Sequence, residues 1–238
     1  MLLFDRRDIM DTVSEGIGGF YKAIGGLEGR GAFIVVAGRP GMGKTCLALQ
    51  MSRFMAGEGK KVIVFSLEPD GFGIADILIA QGQGPVADVY GPETRQAEKI
   101  AEIIMAGGNT GAAVIDFIQL AETDGGVRYG ERDRKTKSII EVLKSSANAS
   151  GVPVLVCSQL PRKVDGRKSR VPVLSDLDRF AGLRKSADAV IFPFRPAYYE
   201  TYSSGDRDGD MLILAENRYG SKGTFPVRWD GKRLMFMK

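Results

Sequence analysis

Short apolar runs alternate along this chain with longer stretches of helical spacing. Runs rich in β-branched and aliphatic residues predict buried parallel strands at Phe33–Val36, Val62–Phe65, Ala113–Ile115, Val152–Val156 and Ala189–Phe192. Between these runs, apolar residues with helical periodicity predict helices at Thr45–Ala56, Glu93–Met105 and Arg134–Ala149. Strand and helix alternating in this way predict right-handed βαβ units, and therefore an α/β fold with a mostly parallel central sheet flanked by helices.

The last part of the chain has a different pattern. Met211–Ala215 and Thr224–Trp229 predict two strands joined by Asn217–Gly223, which together form a C-terminal β-hairpin. Gly-rich or charged stretches predict loops at Thr123–Arg134, Arg162–Arg170 and Thr201–Gly209. A length of 238 residues favours a single α/β domain over two.

Composition excludes several classes of function. The chain has no His, which excludes Ser-His-Asp and Cys-His catalysis and His metal clusters. Its two cysteines, Cys46 and Cys157, lie far apart and form no CxxC, so we expect neither a zinc site nor a disulfide framework, and we expect a reducing compartment. A net charge of +4 is compatible with a polyanionic partner but is too small to indicate one.

Nothing in the sequence indicates a membrane protein. No apolar run approaches the length of about 18 residues that a membrane-spanning helix needs. The N-terminus carries acids and arginines where a signal peptide would need a long apolar stretch. We therefore expect a cytoplasmic protein that has no membrane partner.

The most specific motif follows the first predicted strand and precedes the first predicted helix. It is a complete GxxxxGK[ST] pattern, a P-loop, in which glycines allow the backbone N–H groups to surround a polyphosphate and the helix N-terminus adds its dipole. Lys44 would place a charge at the β- and γ-phosphates, and the Thr45 hydroxyl can ligate Mg²⁺. We expect the whole motif to bind the nucleotide: Gly38, Arg39, Pro40, Gly41, Met42, Gly43, Lys44 and Thr45.

Two acidic residues follow other predicted strands. A P-loop needs an acid for its metal at the end of a neighbouring strand, and Asp116 ends the apolar run at Ala113–Ile115. Glu68 lies just past Val62–Phe65, where a carboxylate can accept a proton from water. The alternatives are an Asp that caps a turn and a solvated Glu in a loop.

Several short motifs occur in a fixed order along the chain. They are Gly38–Thr45, Ser66–Glu68, Ile115–Leu120, Ser158–Leu160, Ser175–Leu177, Ala187–Asp188 and Asn217–Gly220. This series resembles the RecA-like motor domain of DnaB-type replicative DNA helicases, and the approach Gly16–Gly31 resembles it too. The P-loop alone would be generic, whereas the ordered set is specific. The resemblance implies a RecA-like ATPase domain at residues 15–238, preceded by a tail or linker helix at 1–14.

The resemblance also implies a cofactor and roles within one subunit. Lys44 and Thr45 would hold ATP and Mg²⁺, Asp116 would be the Walker B acid that binds the metal, and Glu68 would be the catalytic carboxylate. Gln159 would sense the γ-phosphate and relay its state to DNA.

A further implied role lies between subunits. Arg218 would be an arginine finger that reaches into the nucleotide of a neighbouring subunit, where it offsets charge on the transferring phosphoryl group. A site completed in this way implies a ring, in this family a homo-hexamer around single-stranded DNA. The alternative is an exposed arginine in a hairpin.

Two positions depart from the family pattern. Glu216 stands where the family tends to have a lysine that also reaches across to the phosphate, so an attraction becomes a repulsion unless Glu216 points away. Residues 178–181, Asp-Arg-Phe-Ala, stand where the family tends to have an Arg-Glu-x-Gly turn that touches DNA. Other cations can replace the lost phosphate contact. The candidate DNA-binding residues are Arg162, Lys163, Arg167, Lys168, Arg170 and Arg179.

Two functions follow, and they differ in class. The first is an ATP-dependent DNA helicase or translocase that acts on single-stranded DNA in replication, with a helicase loader, primase or other replication protein as possible partners. The second is an ATP-binding interaction module that joins a helicase or its regulators without translocating. A RecA-fold recombinase or clock-type ATPase explains Ser158–Leu160 and Ser175–Leu177 less well.

Overall fold

A computed structural model of the chain describes residues 15–68, 73–82, 87–123, 133–178, 182–199 and 209–237. The strands are β1 (Phe33–Gly38), β2 (Lys61–Ser66), β3 (Ala87–Tyr90), β4 (Thr110–Asp116), β5 (Val154–Gln159), β6 (Ala189–Phe194), β7 (Met211–Asn217), β8 (Gly223–Pro226), β9 (Arg228–Asp230) and β10 (Met235–Met237). The α-helices are α1 (Glu15–Ile24), α2 (Lys44–Ala56), α3 (Ile74–Ala80), α4 (Ala97–Ala106), α5 (Asp133–Ser150) and α6 (Leu183–Ser186).

Eight strands form one twisted central sheet in the order β3-β2-β4-β5-β1-β6-β7-β8. The pairings from β3 through β6 are parallel, whereas β7 and β8 pair antiparallel at one end. β1 is buried over its whole length, which explains its continuous apolar sequence. The predicted α/β fold, with its mostly parallel sheet and C-terminal hairpin, is confirmed.

Helices cover both faces of this sheet, and alternate residues of each strand point to opposite faces. On one face, Ile34 and Val36 of β1 pack in a core with residues of α1, α2 and α3. On the other face, Phe33 and Val35 pack with residues of α4, α5 and α6. The apolar stripe predicted from the spacing within α4 is buried in this second core, as its Ile100 illustrates.

Two elements begin later in the chain than predicted, each for a local reason. The helix predicted from Glu93 begins at Ala97, because Pro92–Thr94 form a separate 3₁₀ turn. The strand predicted from Val152 begins at Val154, because Pro153 has no N–H to contribute to the ladder.

The strand predicted at Thr224–Trp229 is divided between two sheets. β8 pairs with β7, whereas β9 pairs with β10 in a separate two-stranded sheet. The break falls at Val227, whose N–H donates to the Asp210 carbonyl. α1, α3, α6, β3 and β10 were not predicted.

Some predictions lie outside the described residues: the tail at 1–14, most of the loops at 123–134 and 201–209, and Arg179. None of the described helices combines the length and apolar character that crossing a lipid bilayer requires.

Candidate active site

The carboxyl ends of four parallel strands bring most of the predicted nucleotide-site residues, though not Arg218, to one edge of the sheet, here called the carboxyl edge. Gly38 at the end of β1 is in register with Gln159 at the end of β5. Ser66 at the end of β2 is in register with Asp116 at the end of β4. Glu68 lies two residues after Ser66. Residues distant in sequence therefore converge where an open α/β sheet binds its ligands.

The P-loop crosses from β1 to α2 at this edge. Gly41 and Gly43 have φ angles of +75° and +84°, which glycine adopts without strain. A Cβ on Gly41 would also overlap the ring of Tyr198. Gly43 is the N-cap residue of α2, so the free N–H groups of that helix begin directly behind the loop. This arrangement is an anion site of the kind that binds phosphate.

Lys44 lies at the start of α2 with its ammonium group against the loop. Lys44 Nζ donates to the carbonyl of Arg39 at 3.1 Å. Burial lowers the pKa of Lys44, while the negative charges of Asp116 and Glu68 act in the opposite direction. A desolvated cation that holds only a backbone carbonyl is well suited to exchange this bond for a phosphate oxygen.

Asp116 and Thr45 form the acidic part of the site. Thr45 Oγ1 donates to Asp116 Oδ2 at 2.9 Å, and Asp116 Oδ1 is buried without a hydrogen-bond partner. Burial raises the pKa of Asp116, and the Thr45 hydrogen bond, the nearby Cys157 thiol and the Lys44 charge oppose that rise.

A hydroxyl and an unsatisfied carboxylate oxygen are the hard ligands that Mg²⁺ prefers, so these residues fit the predicted ion. Among the residues that the structure describes, no group of three or more acidic or cysteine side chains is arranged to hold a metal ion by itself. Mg²⁺ usually keeps several waters and binds phosphate oxygens beside one or two protein ligands, and Thr45 and Asp116 would supply these two.

Gln119 joins two of the strand ends, a function that we did not predict. Its Nε2 donates to Ser158 Oγ at 2.9 Å, and its Oε1 accepts from the N–H of Gln159 at 3.3 Å. The only sequence signal was its position three residues after Asp116, within the motif Ile115–Leu120. Gln119 therefore fixes the backbone at Gln159 relative to the end of β4.

The P-loop is also braced by the C-terminal part of the chain. Arg195 Nη1 donates to the Gly41 carbonyl at 3.0 Å, and its guanidinium lies 4.4 Å from the ring centroid of Trp229. The rings of Phe236 and Trp229 both approach Gly43. No local motif marks these residues, because each acts through a contact with a distant part of the chain.

The predicted DNA-binding cations occupy different environments. Arg167 forms an ion pair with Asp176 at 2.7 Å, and the Arg170 guanidinium lies 5.0 Å from the ring centroid of Tyr199. Arg170 is nevertheless exposed, as are Arg162, Lys163 and Lys168. Arg39, predicted to bind the nucleotide, directs its guanidinium to Asp165 and to the Leu160 carbonyl.

Arg218 lies at the opposite edge of the sheet, here called the amino edge. It directly follows β7, which runs antiparallel to β6 and pairs Asn217 with Ala189 at the start of that strand. Because β6 has six residues, about 20 Å of strand separates the two edges. Arg218 donates to the carbonyl of Lys185, and its Nε is 3.9 Å from Asp188 Oδ1.

A cleft of about 760 Å³ surrounds Arg218, and Arg184 and Lys185 also line it. Two acids of the cleft are paired: Asp178 with Arg184 at 3.2 Å, and Glu216 with Lys222 at 3.8 Å. The charge of Glu216 is therefore partly offset by a neighbouring cation rather than left facing Arg218 alone.

Comparison with protein families gives a match over nearly all of the chain. The model of the family described as DnaB-like helicase C terminal domain matches residues 12–87 and 86–238. A probable replicative DNA helicase of Trieres chinensis is 26% identical over 255 residues, covering 92% of this chain and 56% of the relative. The replicative DNA helicase DnaB of Geobacillus stearothermophilus is 27% identical over 230 residues, covering 82% and 50%. The chain thus spans about half the length of these relatives.

Solved structures share the fold. The ATPase domain of G40P superimposes with a TM-score of 0.79 at 24% identity, covering 94% of this chain and 90% of that one. A DnaB-like replicative helicase, whose structure was described together with its interactions with primase, also gives 0.79, at 23% identity and with 94% and 63% coverage. The RadB recombinase superimposes less closely, with a TM-score of 0.62.

Proposed function

The chain belongs to the DnaB-like helicase C-terminal domain family, and from this premise we propose that it hydrolyses ATP between subunits of a ring to drive movement along single-stranded DNA. The family and the RecA-like fold were both predicted from the ordered motifs, and both are confirmed. The finer statements, on DNA, on the ring and on the residues that act, are the proposal.

One observation carries the proposal: the cation expected to assist hydrolysis lies at the wrong edge of the sheet to serve its own P-loop. Lys44, Thr45 and Asp116 meet at the carboxyl edge, while Arg218 lies at the amino edge, about 20 Å of strand away. A head-to-tail contact between identical subunits would place the amino edge of one against the carboxyl edge of the next. Such heterologous contacts close into rings when the rotation permits.

Within one site, each residue has a distinct part. Lys44 Nζ leaves the Arg39 carbonyl to bind the β- and γ-phosphates. Thr45 and Asp116 would hold Mg²⁺, which neutralises charge on those phosphates. Glu68 accepts a proton from the attacking water, and Gln159 contacts the γ-phosphate. Arg218 of the neighbouring subunit stabilises the charge on the transferring group.

DNA contact is proposed for the loop that follows β5. Its exposed cations are Arg162, Lys163, Lys168 and Arg170, whereas Arg167 is partly enclosed by its ion pair with Asp176. Contacts of this kind bind phosphates without sequence preference, and their affinity falls as salt rises. Primase or a loader remains a proposed partner, since a primase interaction is described for one structural relative.

Mixing two inactive variants tests the shared site. Arg218→Ala removes the cation from the amino edge, and Glu68→Ala removes the carboxylate from the carboxyl edge. Each variant alone should lose hydrolysis. An equal mixture assembled at random should regain activity at about a quarter of its interfaces, because one subunit then supplies Glu68 and its neighbour Arg218.

The matched control combines Glu68→Ala with Lys44→Ala. Both changes affect the carboxyl edge. No subunit in that mixture therefore has an intact carboxyl edge, and activity should not return. Equal behaviour of the two mixtures would overturn the proposal of a site shared between subunits.

The alternative, an ATP-binding module that does not translocate, is favoured by the acids of the cleft. Glu216 and Asp178 both line the cleft that contains Arg218, and carboxylates there weaken attraction to a neighbour's phosphates. A motor should hydrolyse ATP faster when single-stranded DNA is added, most strongly at low salt. A rate that DNA leaves unchanged would favour the module.

A further inference from the structure

The side chain of Arg39 connects the P-loop to the loop after β5. Arg39 Nε and Nη2 both contact Asp165 Oδ2, at 2.9 and 2.8 Å, and Nη1 donates to the Leu160 carbonyl at 2.8 Å. Only 12% of the Arg39 side chain is exposed. A guanidinium bound on three nitrogens in this way is fixed in position, so the P-loop and the loop after β5 must move together.

Asp165 is held from a second direction by Tyr199. The Tyr199 hydroxyl donates to Asp165 Oδ1 at 3.1 Å, while Arg170 lies over the Tyr199 ring. Burial acts to raise the pKa of Asp165, but the hydrogen bonds from Arg39 and Tyr199 outweigh it and lower that pKa. Burial and the Asp165 hydrogen bond raise the pKa of Tyr199 to about 12, so the hydroxyl stays a donor at neutral pH.

A second ion pair fixes the other end of the same loop, residues 160–177, here called the relay loop. Arg167 Nη2 donates to Asp176 Oδ2 at 2.7 Å and to the Val171 carbonyl at 2.9 Å. Asp176 Oδ2 also accepts from the N–H of Val173, and the residue is 2% exposed. The relay loop is thus anchored at the P-loop by Asp165 and near Ser175–Leu177 by Asp176.

In the proposed function, nucleotide binding would change a contact at the first anchor. Lys44 Nζ is bonded to the carbonyl of Arg39, the same residue whose side chain holds Asp165. When Lys44 turns to a phosphate, the Arg39 backbone loses this partner, and the loop segment that carries Arg39 is released on one side. The Arg39–Asp165 pair would then carry the change to the relay loop, whose exposed cations are Arg162, Lys163, Lys168 and Arg170.

We propose that Asp165 is a positioning residue that couples occupation of the P-loop to the affinity of the relay loop for single-stranded DNA. This inference rests on the proposed function, since it takes DNA as the ligand of the exposed cations. Asp165 acts through Arg39 and touches neither nucleotide nor DNA. Coupling of this kind is reciprocal, so DNA should change nucleotide affinity by the same factor.

The test measures DNA affinity with and without a non-hydrolysable ATP analogue, by fluorescence anisotropy of a labelled oligo-dT. The ratio of the two dissociation constants is the coupling factor. In Asp165→Asn this ratio should fall at least about fivefold towards 1, a change within the usual range of allosteric coupling. Affinity for the analogue alone, and hydrolysis without DNA, should stay within about twofold because Asp165 is not in the phosphate site.

Two further variants separate coupling from a general loss of structure. Asp88→Asn is the matched control, because Asp88 also pairs with a cation, Lys61 at 3.2 Å, but on the edge strand β3; it should keep the wild-type ratio. Asp165→Glu, which retains the charge, should restore most of the coupling. A thermal unfolding midpoint near that of the wild type verifies that each variant is folded.

The outcomes distinguish the two proposals. A wild-type coupling factor in Asp165→Asn overturns the role of Asp165 and leaves the proposed function intact. A wild-type protein that binds no oligo-dT in any nucleotide state overturns both. Loss of coupling in Asp88→Asn to the same extent as in Asp165→Asn would also reject a specific role for Asp165.

Discussion

The two edges of the sheet differ in how completely their charged groups are satisfied. At the carboxyl edge, Lys44 holds only a backbone carbonyl and Asp116 leaves one buried oxygen without a partner. At the amino edge, Asp188 is surrounded by donors, and Arg218 is held by the carbonyl of Lys185. Unsatisfied buried groups raise the free energy of the folded protein unless a ligand completes them. This difference supports the proposal that the carboxyl edge receives a ligand and that the amino edge presents a fixed cation.

The clearest form of this contrast lies in two buried aspartates. Asp116 is 6% exposed and Asp188 is 4% exposed, so burial alone does not distinguish them. Asp188 Oδ2 accepts from the N–H of Phe33 at 2.8 Å, and its Oδ1 lies 3.3 Å from Lys144 Nζ. The same residue type thus supports the fold at the amino edge and, in the proposed function, binds the metal at the carboxyl edge.

The largest effect is expected from Lys44→Ala at the carboxyl edge. Because the other cation of the P-loop, Arg39, is bound to Asp165 and does not replace the lost charge at the β- and γ-phosphates, hydrolysis should fall at least about 100-fold. Rates and calorimetric titration with ATP measure the loss. The control is Lys61→Ala. Lys61 lies at the start of β2 and forms only an exposed ion pair with Asp88, so this variant should hydrolyse ATP at the wild-type rate. Turnover by Lys44→Ala at the wild-type rate would remove this site from the mechanism.

Arg218→Gln at the amino edge should separate hydrolysis from binding. The turnover number should fall about 100-fold or more, since a finger acts on the transition state, while the affinity for ATP changes less than about threefold. Steady-state kinetics with a direct binding measurement give both values. Arg184→Gln is the control in the same cleft, because Arg184 is already paired with Asp178. Equal losses of binding and turnover would contradict the assignment as a finger.

Asp188→Asn should destabilise the protein. The amide can still accept from Phe33, but it leaves Lys144 without its anionic partner, at a cost of about 2 kcal/mol in the free energy of unfolding. Urea unfolding followed by circular dichroism provides the value. An unchanged midpoint would show that this aspartate is not a structural anchor of the amino edge.

Asp116→Asn, unlike Asp188→Asn, should stabilise the metal-free protein, although it should abolish metal-dependent hydrolysis. Since burial raises the pKa of Asp116, the folded protein binds that proton more tightly than the unfolded chain, and stability falls as pH rises through this range. Asn removes the buried charge, so metal-free Asp116→Asn should be about 1 kcal/mol more stable than the wild type at neutral pH.

The gain should shrink as pH falls below the pKa of Asp116, where the wild-type carboxyl is protonated as well. Urea midpoints in the presence of a chelator, at neutral pH and at a pH below that pKa, measure the difference. A variant less stable than the wild type at neutral pH would contradict the contrast between the two aspartates.

Sequence patterns predicted the parts of the molecule that local rules determine. The five central parallel strands are continuous apolar runs because helices cover both faces, and the P-loop is specified by glycines at fixed spacing. β3 escaped prediction because it is a half-exposed edge strand of four residues. α3 is also short, with seven residues.

The contacts that surround the site escaped prediction for a different reason. Arg39 and Asp165 are 126 positions apart, and Arg195 reaches the P-loop from 154 positions away. Arg39 was predicted to bind nucleotide because it lies within the motif, whereas its side chain forms part of a tertiary ion pair. Such pairs depend on the whole topology, which no short window of sequence contains.

The position of Trp229 has a practical consequence. It is the single tryptophan of the chain, it lies against Gly43, and it stacks on the guanidinium that binds the Gly41 carbonyl. Indole emission responds to nearby charge and to the motion of neighbouring groups. The fluorescence of Trp229 in the unlabelled protein should therefore report whether the P-loop site is occupied. Stopped-flow recording of that intrinsic signal would time the arrival and departure of each nucleotide without a dye.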